Sequence, residues 1–119
     1  MVTKPLYDWD EAKRSSNIRD HKIDFTEVEK FEWDLAIITI DDREDYGELR
    51  ERAWGFIGDR VYLLVYTQRG DTIRVISLRK ADNKESRRYA RKIKGRVGRS
   101  SASGTARGTR DDRRRRRRN

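Results

Sequence analysis

The sequence predicts an α+β domain: an antiparallel sheet built on a central hairpin meander, with two N-terminal helices and a basic C-terminal helix. Three observations carry this. Residues 61–67, VYLLVYT, and 72–78, TIRVISL, are two runs rich in apolar, β-branched and aromatic residues. Between them lies Gln68-Arg69-Gly70-Asp71, turn chemistry in which Gly70 is free to take positive φ. Helix signals cluster before these runs and after them, so the helices are expected on one face of the sheet.

The elements follow in chain order. Residues 6–9, LYDW, suit a short strand. Asp10 is an N-cap for a helix reaching about His21, with acidic residues at its start to suit the helix dipole. Its apolar content is thin, so it must lean on the sheet. Thr26-x-x-Glu29 is a capping-box pattern and predicts a second helix to about Trp33, burying Val28 and Phe31. Residues 35–40, LAIITI, are a strand; 41–46, DDREDY, an acidic loop; 48–58, ELRERAWGFIG, a further strand. Asp82-x-x-Glu85 starts a last helix whose Tyr89, Ala90 and Ile93 share a face at helical spacing.

Composition divides the chain. Of its 119 residues, 34% are hydrophobic and 43% charged, so not all of it can lie in a core. Residues 1–94 read as one domain. Residues 95–119 contain Val97 as their one aliphatic side chain larger than Ala, too little to offset ordering entropy, and are expected to be a disordered Arg-rich tail. Net charge is −6 over residues 1–67, +7 over 68–94 and +8 over 95–119. Such polarity suits a polyanion-binding surface, although acidic and basic halves can also simply pair on folding. The six arginines of residues 113–118 would attract RNA, DNA or any acidic surface.

Several function classes are excluded or weakened. There is no Cys and a single His, so disulfides, the usual zinc sites and Cys-His nucleophiles are out of reach. No cofactor is expected. Asp41, Asp42 and Asp45 could hold Mg²⁺, but an acidic surface loop is the better reading. No apolar run is long enough for a membrane span or a secretory signal, so a cytoplasmic protein is expected.

What remains is a metal-free basic site. Cleaving RNA without a metal requires a proton taken from the 2′-OH, one given to the leaving 5′-oxygen, and charge stabilised on the transition state. Arginine suits the last task because its planar fork matches phosphate oxygens. Lys, His, Tyr or Glu can move protons. Arg52, Arg74, Arg79, Lys80, Glu85, Tyr89 and His21 all lie near the hairpin or helix ends. In a regular strand Arg74 and Lys80 share a face and Arg79 points away; Arg79 joins Arg74 only if the strand ends or bulges near Leu78. Each has a plainer reading: Arg74 as a solvent-facing sheet residue, His21 as a helix C-terminal cation, the basic residues of the last helix as a solvated face. Tyr62, Tyr66 and Trp54 could stack bases, with core packing as the first expectation.

The motifs resemble a known family. Trp9-Asp10-x-x-Lys13-x-x-x-Asn17-x-x-x-His21-x-Ile23-x-Phe25, then Glu51-Arg52, then Tyr66-Thr67-x-Arg69-Gly70-Asp71-x-Ile73-Arg74-x-Ile76-Ser77-x-Arg79-Lys80-Ala81, then Glu85-x-x-Arg88-Tyr89, are similar in order and spacing to the BrnT-type toxins of bacterial type II toxin–antitoxin modules. The resemblance covers about residues 7–90. It implies a RelE-like ribonuclease fold, metal-independent cleavage of mRNA that stops translation and growth, and a BrnA-type antitoxin that joins the toxin in a 2:2 complex and represses the shared operon at its operator DNA. It makes Arg52, Arg74, Arg79 and Lys80 the phosphate-binding and transition-state residues, with His21, Glu51, Glu85 and Tyr89 as proton-transfer candidates. The first signature commonly continues with a basic residue, His and Gly; here Asp20 precedes His21 and Lys22 follows it. The competing reading is a non-catalytic nucleic-acid-binding or antitoxin-binding regulatory protein.

Overall fold

A computed structural model describes residues 5–101, with side-chain detail to residue 95. The chain runs β1 (Leu6–Trp9), α1 (Glu11–His21), two 3-10 turns (Phe25–Lys30 and Trp33–Leu35), β2 (Ile37–Ile40), β3 (Glu51–Ile57), β4 (Arg60–Arg69), β5 (Thr72–Lys80) and α2 (Asn83–Ser101). One five-stranded sheet has the order β1-β5-β4-β3-β2. The fold class is α+β, and the long hairpin β4-β5 stands at its centre as expected. The sheet is mixed rather than antiparallel, because β1 lies parallel to β5, with Trp9 opposite Val75. Both tight hairpins turn on Gly-Asp, and Gly58 and Gly70 have φ of +65° and +62°, conformations that other residues adopt only with strain.

The expected second helix is instead a 3-10 turn, and its cap is Asp24, which accepts from the backbone N–H of Thr26. The reason is the period of the apolar residues. Phe25, Val28 and Phe31, all buried, recur every three residues, the repeat of a 3-10 helix. Arg14 fixes the cap by donating two 2.8 Å hydrogen bonds to the Asp24 carboxylate. Leu35 belongs to the second 3-10 turn, so β2 starts two residues later than the sequence suggested. Helix α2 continues past Gly95 to Ser101; the rest of the expected tail lies outside the described residues.

The 3-10 turns cover one face of the sheet, called here the inner face. Phe25, Val28 and Phe31 pack there against Ala53, Ile57, Leu64, Tyr66, Ile73, Val75 and Leu78. Each large side chain so buried is worth about 1.5–3 kcal/mol. Gly55 allows the close approach: a Cβ there would lie 2.7 Å from Phe31 Cζ. Helix α1 runs along the open edge of β5 beyond the end of β1. Asn17, 5% exposed, accepts from the N–H of Leu78 at 3.1 Å and donates to its carbonyl at 2.7 Å. It thereby satisfies two edge groups that no strand reaches. Part of the opposite face is covered by α2, through Tyr89 and Ile93 against Val61, Trp54 and Phe56.

Candidate active site

The uncovered part of that second face is an arginine face, and strand register decides its membership. Val65 pairs with Ser77 and Tyr66 with Val75, so Ile76 is an extra residue in β5, a β-bulge. Beyond it the facing reverses relative to a regular strand. Arg74 lies opposite Thr67 and Arg79 opposite Leu63, both on the same side of β4. Arg52 lies opposite Val65 and Trp54 opposite Leu63, again on that side. Cross-strand partners share a face, so Arg52, Arg74 and Arg79 are brought together. Lys80, opposite Tyr62, points to the inner face and is separated from them.

Each arginine is held differently. Arg79 makes a bidentate ion pair with Glu85, at 2.9 Å to each carboxylate oxygen, and this raises its already high pKa. Glu85 is placed by the reciprocal capping box that opens α2: its N–H donates to Asp82 Oδ1 at 2.8 Å, and its Oε1 accepts from the Asp82 N–H at 2.9 Å. Arg79, followed by the Asp82 N–H, lowers the Glu85 carboxyl to about 2 against desolvation. The Trp54 indole N–H acts weakly in the same direction, without closing a hydrogen bond. Arg74 meets Asp8 of β1 at 3.3 Å, which is how a charge among Ile73, Val75 and Ile76 is tolerated. The Arg52 guanidinium stands 5.3 Å over the Trp54 ring, and its Nε is buried with no protein partner.

The acidic loop turns out to contribute cations as well. Asp41, its side chain fully buried, takes Nε and Nη2 of Arg43 at 2.6 and 2.7 Å. This ion pair, aided by the more distant charge of Arg52, lowers the Asp41 carboxyl to about 2. Arg43 comes near enough to Arg79 for their charges to oppose each other. Arg50 stacks 3.9 Å over Tyr46. Asp41 is thus spent on an arginine, and among the described residues no group of three or more His, Cys, Asp or Glu could hold a metal ion.

A cavity of about 270 Å³ opens between β2, β3 and α2. Ile37, Trp54 and Tyr89 form its apolar walls, while Arg52, Glu85, Arg88, Lys92 and Thr39 supply polar groups. Tyr89 is buried, donates its hydroxyl to the Leu35 carbonyl at 2.8 Å, and packs edge-on against Phe56. Of the eight candidates, Arg52, Glu85 and Tyr89 line the cavity, Arg79 is tied to Glu85, and Arg74 lies on the same face. Glu51 does not join them: it lies on the inner face opposite Tyr66, where burial and then the Glu51 carboxylate push the tyrosine hydroxyl up. His21 is exposed at the end of α1 and lines no part of the cavity. Arg43, Arg50 and the cavity-facing positions of Arg88 and Lys92 were not singled out by sequence reasoning. The i, i+4 spacing of Arg88 and Lys92, one residue before Tyr89 and Ile93, was the available signal for the last two.

This geometry agrees with comparisons to known proteins. A family model described as "Ribonuclease toxin, BrnT, of type II toxin-antitoxin system" matches residues 9–85. The 1.1 Å crystal structure of the Brucella abortus ribonuclease toxin BrnT is similar, with 28% sequence identity over 66% of this chain and 99% of that one, and a TM-score of 0.53. No curated protein matches the chain.

Proposed function

The chain belongs to the BrnT family of ribonuclease toxins of type II toxin–antitoxin systems, and from that premise we propose that it is a metal-independent endoribonuclease that cleaves mRNA and arrests translation. The observation that carries this reading is the convergence of Arg52, Arg74 and Arg79 on one open sheet face beside a cavity. Guanidinium groups fixed by strand register are preorganised for the charge that develops when a 2′-oxygen attacks the adjacent phosphate. Arg52 and Arg79 are assigned to the phosphoryl oxygens, and Arg74 to a neighbouring phosphate.

Glu85 positions Arg79. A carboxyl held near 2 is a weak base at neutral pH, so Glu85 is assigned to holding Arg79 in place rather than to taking the 2′-OH proton. Tyr89, committed to the Leu35 carbonyl, orients α2. Lys80, Glu51 and His21 carry no role in this reading.

The test is purified chain on a defined single-stranded RNA with EDTA present. Cleavage leaving 2′,3′-cyclic phosphate ends, reduced about 10²- to 10³-fold in Arg52→Ala and Arg79→Ala, is the expected result. Binding without cleavage favours the non-catalytic reading, which one observation supports: among the described residues, Glu85 is the carboxylate lining the cavity, and it is already ion-paired. The family's name also supports a protein antitoxin. We assign that role to a BrnA-type partner in a 2:2 complex that binds operator DNA, with the toxin acting in the cytoplasm. Growth arrest on expression of the chain alone, relieved by the neighbouring reading frame, tests it.

A further inference from the structure

The cavity beside the arginines has a chemistry of its own, and we infer that it binds a single nucleobase through a carbonyl-bearing edge, guanine foremost. The inference rests on the RNA-binding reading above and adds which base the site takes. Its walls are the apolar surfaces of Ile37 and Trp54, the kind of slot in which a base ring replaces water. Its polar groups are unbalanced. Arg52, Arg88 and Lys92 offer only donors. Two lining side chains carry acceptors: Thr39 brings one hydroxyl oxygen, and Glu85 is largely consumed, its Oε1 taking Arg79 Nη1 and the Asp82 N–H and its Oε2 taking Arg79 Nη2. Arg52 Nε is buried without a protein partner, a cost that the remaining groups of the site do not remove.

A base entering this slot must therefore bring acceptors. On their major-groove edges adenine sets its N6 amino donor beside N7 and cytosine presents its N4 amino donor, so each meets the donors of the site with a donor. Uracil presents carbonyls. Guanine presents O6 and N7 side by side, the edge that a guanidinium reads with two hydrogen bonds. Arg88, exposed on α2 at the rim, is the side chain free to swing onto that edge; Arg52 offers Nε on the base side and its terminal nitrogens, with Arg79, to the phosphate.

The probe is an otherwise abasic DNA strand carrying one guanine, uracil, adenine or cytosine, titrated against the full chain and followed by tryptophan fluorescence. DNA has no 2′-OH, so binding is read apart from cleavage. Guanine should bind at least about fivefold more tightly than adenine or cytosine, with uracil between. Arg88→Ala and Lys92→Ala, both at exposed helix positions, should narrow that ratio, weakening the guanine strand more than the adenine strand. Ile37→Trp should fill the slot and abolish discrimination. Equal affinities for the four bases, or preference for an amino base, overturn the inference. Cleavage of RNA without base preference would leave the ribonuclease reading standing and this one fallen; guanine preference without cleavage would do the reverse.

Discussion

Lys22, directly after His21, is the one described non-glycine residue with positive φ, +62°. It occupies the left-handed position that ends α1, its N–H donating to the Ile18 carbonyl at 2.9 Å. A side chain there costs about 1 kcal/mol that glycine avoids. The Lys22 ammonium recovers a little by donating to the Arg19 carbonyl, at an exposed site. Lys22→Gly should therefore stabilise the protein by about 0.5–1 kcal/mol, seen as a higher urea midpoint at unchanged slope; a lower midpoint would mean the lysine contact outweighs the backbone. Glu85 gives a second residue-level prediction, in pH. Its carboxyl is lowered from an ordinary 4.5 to about 2 in the folded protein, so folding favours the charged form. That contribution is fully present above about pH 5 and is lost as pH falls from there toward 2. The stability gap between wild type and Glu85→Gln should be constant at neutral pH and close on acidification; a gap independent of pH would show that the ion pair does not stabilise the fold.

At the scale of elements, α2 is one wall of the cavity, and Tyr89 is its anchor. Its ring packs on Phe56 and its hydroxyl reaches the carbonyl that leads into β2. Tyr89→Phe should cost about 0.5–1.5 kcal/mol of stability and leave cleavage within about threefold of wild type; a loss of about 10² or more would give the hydroxyl a proton-transfer role. Elements also show what was legible beforehand. The hairpin, α1 with its Asp10 cap and the Asp82–Glu85 start of α2 are written in local signals: alternation, turn glycines, caps. Thr26-x-x-Glu29 imitates the capping box of an α-helix, while the apolar residues repeat every third position, the period of the 3-10 turn that forms. The parallel partner of β1 has no local signal, since it depends on a strand some 65 residues away. The bulge at Ile76 matters most. The sequence states the condition for Arg79 to join Arg74, but nothing in TIRVISLRK marks where the extra residue goes. So Arg52, Arg74 and Arg79 could be named in advance and their common face could not, while Lys80, which parity alone puts with Arg74, lies on the inner face by register.

At the scale of the whole molecule, charge is segregated by strand order as well as by sequence. The acidic first half supplies two anions of the arginine face, Asp8 and Asp41, each already paired with an arginine of that face or its loop, and Glu85 of α2 is paired with Arg79. The cations left for a ligand come from β3, β5 and α2, and the six arginines of residues 113–118 follow α2 in the chain. For a single strand, log affinity falls with log salt at a slope of about −0.7 per phosphate neutralised. Four or five contacts on the folded face would give a slope of about −3 to −3.5. If the C-terminal arginines add their own contacts, the full chain should be steeper than a version lacking residues 102–119, by up to about 4 in slope. Base preference and the position of cleavage should be the same in both, because the cavity and the arginine face lie within residues 5–95. Equal slopes would show that the terminal arginines meet something other than RNA, and a changed cleavage position would place them in the active site itself.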